Sequence, residues 1–241
     1  MKNKTIVITG TTSGVGYELS KLLYKDNTLI AIARESEKLK SFADEYKEVF
    51  IYKADLSKLE DIKAVAQKLL KDFSSIDILI NNAGVQYPET FLDPSFCYEN
   101  IHNEITTNLT SICNLSYLLL PLLLHEHKAI ILNVNSGLAL APKTTSAIYC
   151  ATKGGLNIFT QALRYQLEKT NISVQQVFLQ LVDTKMTQGR GNNKMSPQLV
   201  AKKIIYGMDH NILDHDLGKV KFLRILLRVF PSLAKRIMKR Y

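Results

Sequence analysis

Tyr149 and Lys153 stand four positions apart, and Ser136 stands thirteen positions before the tyrosine. The run from Ala147 to Glu168 reads as helical, and residues i and i+4 of a helix share a face one turn apart. That spacing sets an ammonium beside a phenol. A free tyrosine titrates near 10, and a cation within about 4 to 6 Å favours the phenolate, lowering the value by roughly one to three units. A phenol tuned in this way can exchange a proton with a substrate oxygen near neutral pH. Ser136, delivered from the end of a preceding strand, can hold that same oxygen through its hydroxyl.

Two further pairs share the spacing, Tyr17 with Lys21 and Tyr165 with Lys169. They act as internal controls, because neither has a serine at a strand end behind it. Thirteen positions before Tyr165 lies Thr152, on the same helix and about 20 Å away at 1.5 Å per residue. The same count before Tyr17 gives Lys4.

The elements that must position these residues begin with Thr5 to Ile8, a buried strand that runs into Thr9, Gly10, Thr11, Thr12, Ser13, Gly14, Val15 and Gly16, with a helix expected from Tyr17. A strand, a glycine loop and a helix N-terminus form an anion site: free N–H groups and the helix dipole face a phosphate, and missing side chains let it approach. A second strand, Thr28 to Ala33, follows at βαβ distance and ends at Arg34. A carboxylate hereabouts suits the ribose hydroxyls of NAD, whereas a guanidinium suits a 2′-phosphate. Arg34 therefore favours NADP(H) over NAD(H). The competing assignment is a solvated residue at a helix start, paired with Glu35.

Val49 to Lys53 reads as the third strand, with Asp55 and Leu56 at its tip, where a carboxylate can accept from an adenine amino group. Ser57 is an alternative cap for the helix running to Asp72. Ile76 to Ile80 is a fourth strand, ending in Asn81, Asn82, Ala83 and Gly84, small and polar residues suited to the floor of a dinucleotide cleft. Ser95 to His125 is helical in pattern and contains Asn108, which suggests a bent backbone and a bound water. Ala129 to Asn135 and Ser173 to Phe178 are the fifth and sixth strands. Val182 to Gln198 is polar and glycine-containing and reads as a mobile loop over the cleft mouth. Strands and helices alternating this regularly imply an α/β fold, a Rossmann-like doubly wound parallel sheet of six or seven strands.

The chain has 241 residues and is 46% hydrophobic, which suits a soluble single domain with one large core. Residues 1–217 are assigned to the dinucleotide-binding catalytic domain and 218–241 to a basic C-terminal extension. Formal net charge is +9 from 31 basic and 22 acidic residues; eight basic residues and no acid lie from Gly218 onward, so 23 against 22 leaves the rest at +1. That distribution argues against a nucleic-acid-binding body, which spreads its cations over one face. Cys97, Cys113 and Cys150 show no metal-ligand or Cys-x-x-Cys spacing and fit a reducing cytoplasm, with no metal expected. Met1 leads straight into a short apolar strand, so no signal peptide is expected. The leucine run 118–124, broken by Pro121, is too short to span a bilayer.

These residues together resemble the short-chain dehydrogenases/reductases in their compact form, over roughly Thr5 to Thr184. The likeness rests on the glycine loop at Thr9 to Gly16, on Asp55, on Asn81-Asn82-Ala83-Gly84, and on Asn108, Ser136, Tyr149 and Lys153 in order and spacing. It implies Tyr149 as acid/base, Lys153 lowering its pKa and holding the nicotinamide ribose, Ser136 orienting a substrate carbonyl, and Asn108 anchoring a proton-relay water. It also implies that Val182 and Thr184 meet the nicotinamide, and that the helices around Asn108 and Tyr149 pair in homodimers or homotetramers. Two departures stand out: Leu179-Gln180 replaces the usual Pro-Gly, and the Gly-Gly ending of a seventh strand is absent. The Asn-Ala-Gly-Val-Gln run at Asn82 to Gln86 and the basic tail look like the branch with oxidoreductases named for lipoteichoic acid D-alanylation. The expected activity is NADP(H)-dependent interconversion of a small-molecule carbonyl and an alcohol. Sugar-nucleotide epimerases share Tyr-x-x-x-Lys but need a longer substrate domain, and a nucleotide sensor or scaffold on the same fold would not need the intact tetrad.

In the tail, Leu223, Leu226, Phe230, Leu233 and Ile237 fall on one side of a helical wheel and Lys221, Arg224, Arg228, Lys235 and Lys239 on the other, with Pro231 interrupting the helix. The stripe can pack on the body, a partner subunit or the cleft rim, or the helix can lie on an anionic membrane at the inner face.

Overall fold

Strand β1 (Thr5–Thr9) is apolar throughout its interior because both of its faces are covered. Ile6 and Ile8 enter one core and Val7 the other, following the two-residue period of a strand. The computed structural model describes residues 1–34 and 36–240, so the expected Arg34–Glu35 pair lies outside the described residues. The chain continues through α1 (Gly14–Leu23), β2 (Thr28–Ala33), α2 (Glu37–Glu45), β3 (Phe50–Lys53), α3 (Leu59–Asp72) and β4 (Ile78–Asn81). Next come α4 (Glu99–Ile105), a π-helical turn (Thr106–Thr110), α5 (Ser111–Leu118), α6 (Leu120–Leu123), β5 (Ala129–Ser136), α7 (Ala147–Gln166), β6 (Ile172–Leu179), α8 (Pro197–Asp209), β7 (Asp214–Asp216), α9 (Val220–Val229) and α10 (Pro231–Lys239).

Seven parallel strands in the order β3-β2-β1-β4-β5-β6-β7 make one Rossmann-like, doubly wound sheet. The chain reverses its direction of travel between β1 and β4, which register Ile6 on Ile78 and Val7 on Leu79. Crevices outside the carboxyl ends of strands at such a switch point are where ligands bind in open α/β sheets. The two segments emerging there are the glycine loop after β1 and Asn82–Gly84 after β4.

Several boundaries differ from the sequence expectation for physical reasons. Helix α1 begins at Gly14 rather than Tyr17, so two glycines lie inside its first turn. Lys58, not Ser57, is the N-cap of α3, because the Ser57 hydroxyl and N–H both donate to Asp55 Oδ1, at 2.8 and 3.1 Å. Ser95 to His125 is not one helix: it starts at Glu99, widens into the π turn around Asn108 and breaks again near Pro121. The bent backbone at Asn108 is therefore present. The seventh strand, Asp214–Asp216, has no apolar signal to read, because it is a three-residue edge whose carboxylates meet Arg164 at 2.9 Å and Arg224 at 2.6 Å.

The tail breaks into two helices at Pro231, as expected, but its faces are divided differently. Val220, Ala234 and Met238 are buried, Leu223 and Leu226 are half-buried, and Phe230, Leu233 and Ile237 are exposed. Arg224, assigned to the solvated face, instead bonds Asp216 and lies 4.7 Å from the centre of the Phe178 ring.

Candidate active site

Strand β5 ends at Ser136, whose Oγ accepts from Leu138 N at 3.2 Å. That leaves the hydroxyl proton free to donate, and the hydroxyl is near enough to the Tyr149 phenol to lower its pKa. Tyr149 lies in the first turn of α7, half-buried, three residues after Ser146, which takes the left-handed conformation at φ 57°. A non-glycine residue held there marks a tightly determined entry to the helix. One turn on, Lys153 is 4% exposed; its Nζ donates to Val134 O at 2.8 Å and lies 5.7 Å from the centre of the Tyr149 ring. The control tyrosines lie elsewhere: Tyr17 donates to Glu45 at 3.0 Å, and Tyr165 is exposed.

The expected lowering of the Tyr149 pKa is corrected by this environment. Burial pushes the phenol up to about 12, while the Ser136 hydroxyl and the Arg190 guanidinium pull it down and Glu104 and Cys150 push it further up. Lys153 gives one of its three N–H donors to the Val134 carbonyl, and burial lowers its own pKa to about 8, partly opposed by Glu104. The phenol is consequently protonated at neutral pH, the state required of a proton donor.

Glu104 is a residue the sequence reading missed. It and Lys153 are the buried charged side chains among the described residues, at 2% and 4% exposure. Burial raises the Glu104 carboxyl to about 7, against a hydrogen bond from Tyr87 N at 3.2 Å and the charge of Lys153, with Glu89 adding to the rise. Its mark in the sequence is only the four-position spacing to Asn108, which sets it on that helical face without showing that it is buried. Asn108 is fully buried in the π turn, where it accepts from Val85 N at 2.9 Å and donates to Val85 O at 2.8 Å and to Thr152 Oγ1 at 3.4 Å. Its side chain thus clamps the segment after β4 to α7.

The predicted nucleotide residues converge on the same crevice. A Cβ at Gly16 would stand 2.1 Å from Gly10 O and 2.5 Å from Asn82 Nδ2, so no side chain fits there. Gly14, at φ 57°, has Thr184 Cγ2 only 3.1 Å from where a Cβ would stand. Asn82 braces the turn from behind, donating to Thr9 O at 2.9 Å and Gly10 O at 3.2 Å, while Thr9 Oγ1 accepts from Asn82 N and Ala83 N, both at 2.9 Å. Gly84 abuts Asn108, whose Oδ1 would lie 3.2 Å from a Cβ there. Exposed Ser13 leaves the first turn of α1 without a side-chain cap, half-buried Thr12 stands beside it, and Thr11 Oγ1 is buried with no partner. Uncapped N–H groups, an orphaned hydroxyl and a cradle with no Cβ fit a dinucleotide phosphate.

Other predicted residues have structural duties. Val15 and Leu56 bury their side chains in the two cores. Burial raises the Asp55 carboxyl, but the Ser57 hydrogen bonds and the charges of Arg34 and Lys58 hold it below the usual carboxylate value. Exposed Arg34 therefore sits beside Asp55 at the tip of β2. Val182 is buried and bridges Met195, and Thr184 caps a short turn through Thr187. The residue at the Pro-Gly departure, Gln180, donates to Asn193 O at 3.2 Å and accepts from Lys219 N at 2.7 Å, tying the loop after β6 to the tail.

A family model described as short chain dehydrogenase matches residues 4–195. The oxidoreductase DltE of Bacillus subtilis (strain 168) is 32% identical over 78% of this chain and 75% of that protein. The very-long-chain 3-oxoacyl-CoA reductase of Anas platyrhynchos is 33% identical over 76% of this chain but only 61% of that longer protein. Among solved structures, a short-chain dehydrogenase from Sphingobium yanoikuyae in complex with NADPH superposes with a TM-score of 0.83 at 26% identity, covering 95% of this chain and 94% of that one.

Proposed function

The chain belongs to the short-chain dehydrogenase family and is an oxidoreductase acting on CH–OH donors, and from that premise we propose that it reduces a ketone to a secondary alcohol, reversibly, with NADP(H) and with Tyr149 as acid/base. The observation that carries this reading is the placement of Ser136 at the carboxyl end of β5 close to the Tyr149 phenol, with buried Lys153 one turn on and 5.7 Å from the tyrosine ring. When bound, NADP(H) supplies or takes the hydride. The side chains manage the rest. Ser136 and Tyr149 hold the carbonyl oxygen by two O–H donors, and the Tyr149 proton passes to that oxygen as negative charge develops on it. Lys153 holds the nicotinamide ribose, and Asn108 fixes the π turn where a relay water returns the proton.

Arg34, exposed at the tip of β2 beside Asp55, supports NADP(H) over NAD(H). The apolar side chains left exposed on α4, α5 and α7, namely Ile105, Tyr117, Ile158 and Tyr165, support pairing into a homodimer or homotetramer. Oxidation of NADPH against a panel of ketones, from small polar to long-chain, tests the activity. Tyr149→Phe is expected to lower kcat by about 10²- to 10⁴-fold with nucleotide binding intact. A variant as active as the wild type would refute the role of the phenol, and nucleotide binding without turnover of any ketone would favour a sensor on the same fold.

A further inference from the structure

We propose that the outward face of α9 and α10 is a docking surface for an anionic lipid bilayer. The helices satisfy the body of the protein with one stripe and leave a second stripe open. Val220 and Leu223 lie over Gly137, with Val220 Cγ2 3.1 Å from where a Cβ would stand there, and Ala234 and Met238 are buried. Pointing away are Phe222, Ile225, Val229, Phe230, Leu233 and Ile237, exposed at 66, 62, 57, 59, 49 and 49%. Six large apolar side chains within one sixteen-residue stretch cannot be assigned to the core that the same helices already cover.

The charge around that stripe selects the occupant. Lys221, Arg228, Lys235, Arg236 and Lys239 are exposed beside it, and no acidic residue occurs from Gly218 to the last residue. Arg224, the one cation of α9 turned inward, is neutralised by Asp216. An apolar stripe flanked by cations matches a surface whose acyl region accepts the former and whose phosphates accept the latter. A second copy of the chain fits less well, since pairing this face with itself sets like charges against each other. No helix among the described residues is long and apolar enough to cross a membrane, so the contact is peripheral.

The face also lies next to the cleft. Thr144, between Ser136 and Tyr149, donates to Lys239 O at 2.6 Å, and Gly137 is covered by α9. Docking therefore brings the rim of the site to the lipid interface, where an apolar carbonyl compound could reach Tyr149 directly. That last consequence rests on the proposed reductase activity, whereas the docking does not.

The test is sedimentation of the full chain with vesicles of phosphatidylcholine alone or mixed with phosphatidylglycerol, a readout independent of turnover. The wild type is expected to bind the anionic vesicles at least about tenfold better than the neutral ones. Each cation near an anionic surface contributes about fivefold, so Lys221→Gln with Arg228→Gln should lose about 25-fold. Phe222→Ser with Ile225→Ser should lose binding while keeping the wild-type melting temperature. Equal partitioning of the wild type into both vesicle types, or into neither, overturns the proposal. So does light scattering that shows self-association abolished by the serine pair, which would assign the face to a second copy.

Discussion

Glu104→Gln tests whether the buried carboxylate sets the charge state of the lysine behind the phenol proposed as acid/base. Burial drives Lys153 down to about 8, and Glu104 is the charge that opposes it. Glu104 itself titrates at about 7, so both groups are ionised together only between about pH 7 and pH 8. A neighbouring opposite charge in such surroundings shifts a pKa by roughly one to three units. At about pH 7.5 a lysine with its pKa at about 8 is about three quarters protonated. Without Glu104, a fall of one unit leaves about one quarter protonated and a fall of two units about 3%. In the proposed mechanism the ammonium is the active form, so activity is lost as pH rises through the lysine pKa, and the variant must lose it earlier. The assay is the pH dependence of ketone reduction by NADPH, with KM for the nucleotide determined at each pH. The alkaline limb is expected to move about one to two pH units toward acid in Glu104→Gln, and Glu104→Asp, which keeps the carboxylate, should restore most of the shift. Superimposable limbs in the wild type and Glu104→Gln would refute the coupling, even if the variant were slower at every pH.

The same residue predicts a stability difference. Its folded pKa is raised above the unfolded value, so its contribution is full below about pH 4.5 and declines until about pH 7; the wild type should lose about 3 kcal/mol relative to Glu104→Gln across that window, measured by urea unfolding. In the glycine loop, Gly16→Ala places a methyl 2.1 Å from the Gly10 carbonyl oxygen and should weaken NADPH binding by at least about tenfold in a fluorescence titration; unchanged affinity would mean that the loop does not hold the phosphates. Arg34→Asp should raise KM for NADPH and lower it for NADH, reversing the preference; an unaltered ratio of kcat/KM values would remove Arg34 from cofactor selection.

What the sequence by itself determined was everything encoded by local period or by a fixed short spacing. Buried parallel strands are largely apolar runs, so β1, β2, β4, β5 and β6 could be placed within two or three residues, and the glycine spacing and Tyr-x-x-x-Lys pointed to the crevice and to the acid proposed for it. Ser136 followed because the end of β5 fixed it. Only the tertiary structure decided what depends on burial by distant segments. A glutamate four residues before Asn108 looks like a solvated helix residue until Tyr87 and α7 close over it. A phenol beside a lysine looks acidic until burial outweighs the charge and the lysine is found bonded to Val134. The tail shows two apolar stripes rather than one, because which side of a helix meets the body depends on Gly137 and Phe178, some forty to ninety residues away in the chain. Periodicity counts neighbours along a helix, whereas desolvation and docking depend on neighbours brought in from elsewhere, and those contacts carry no local mark.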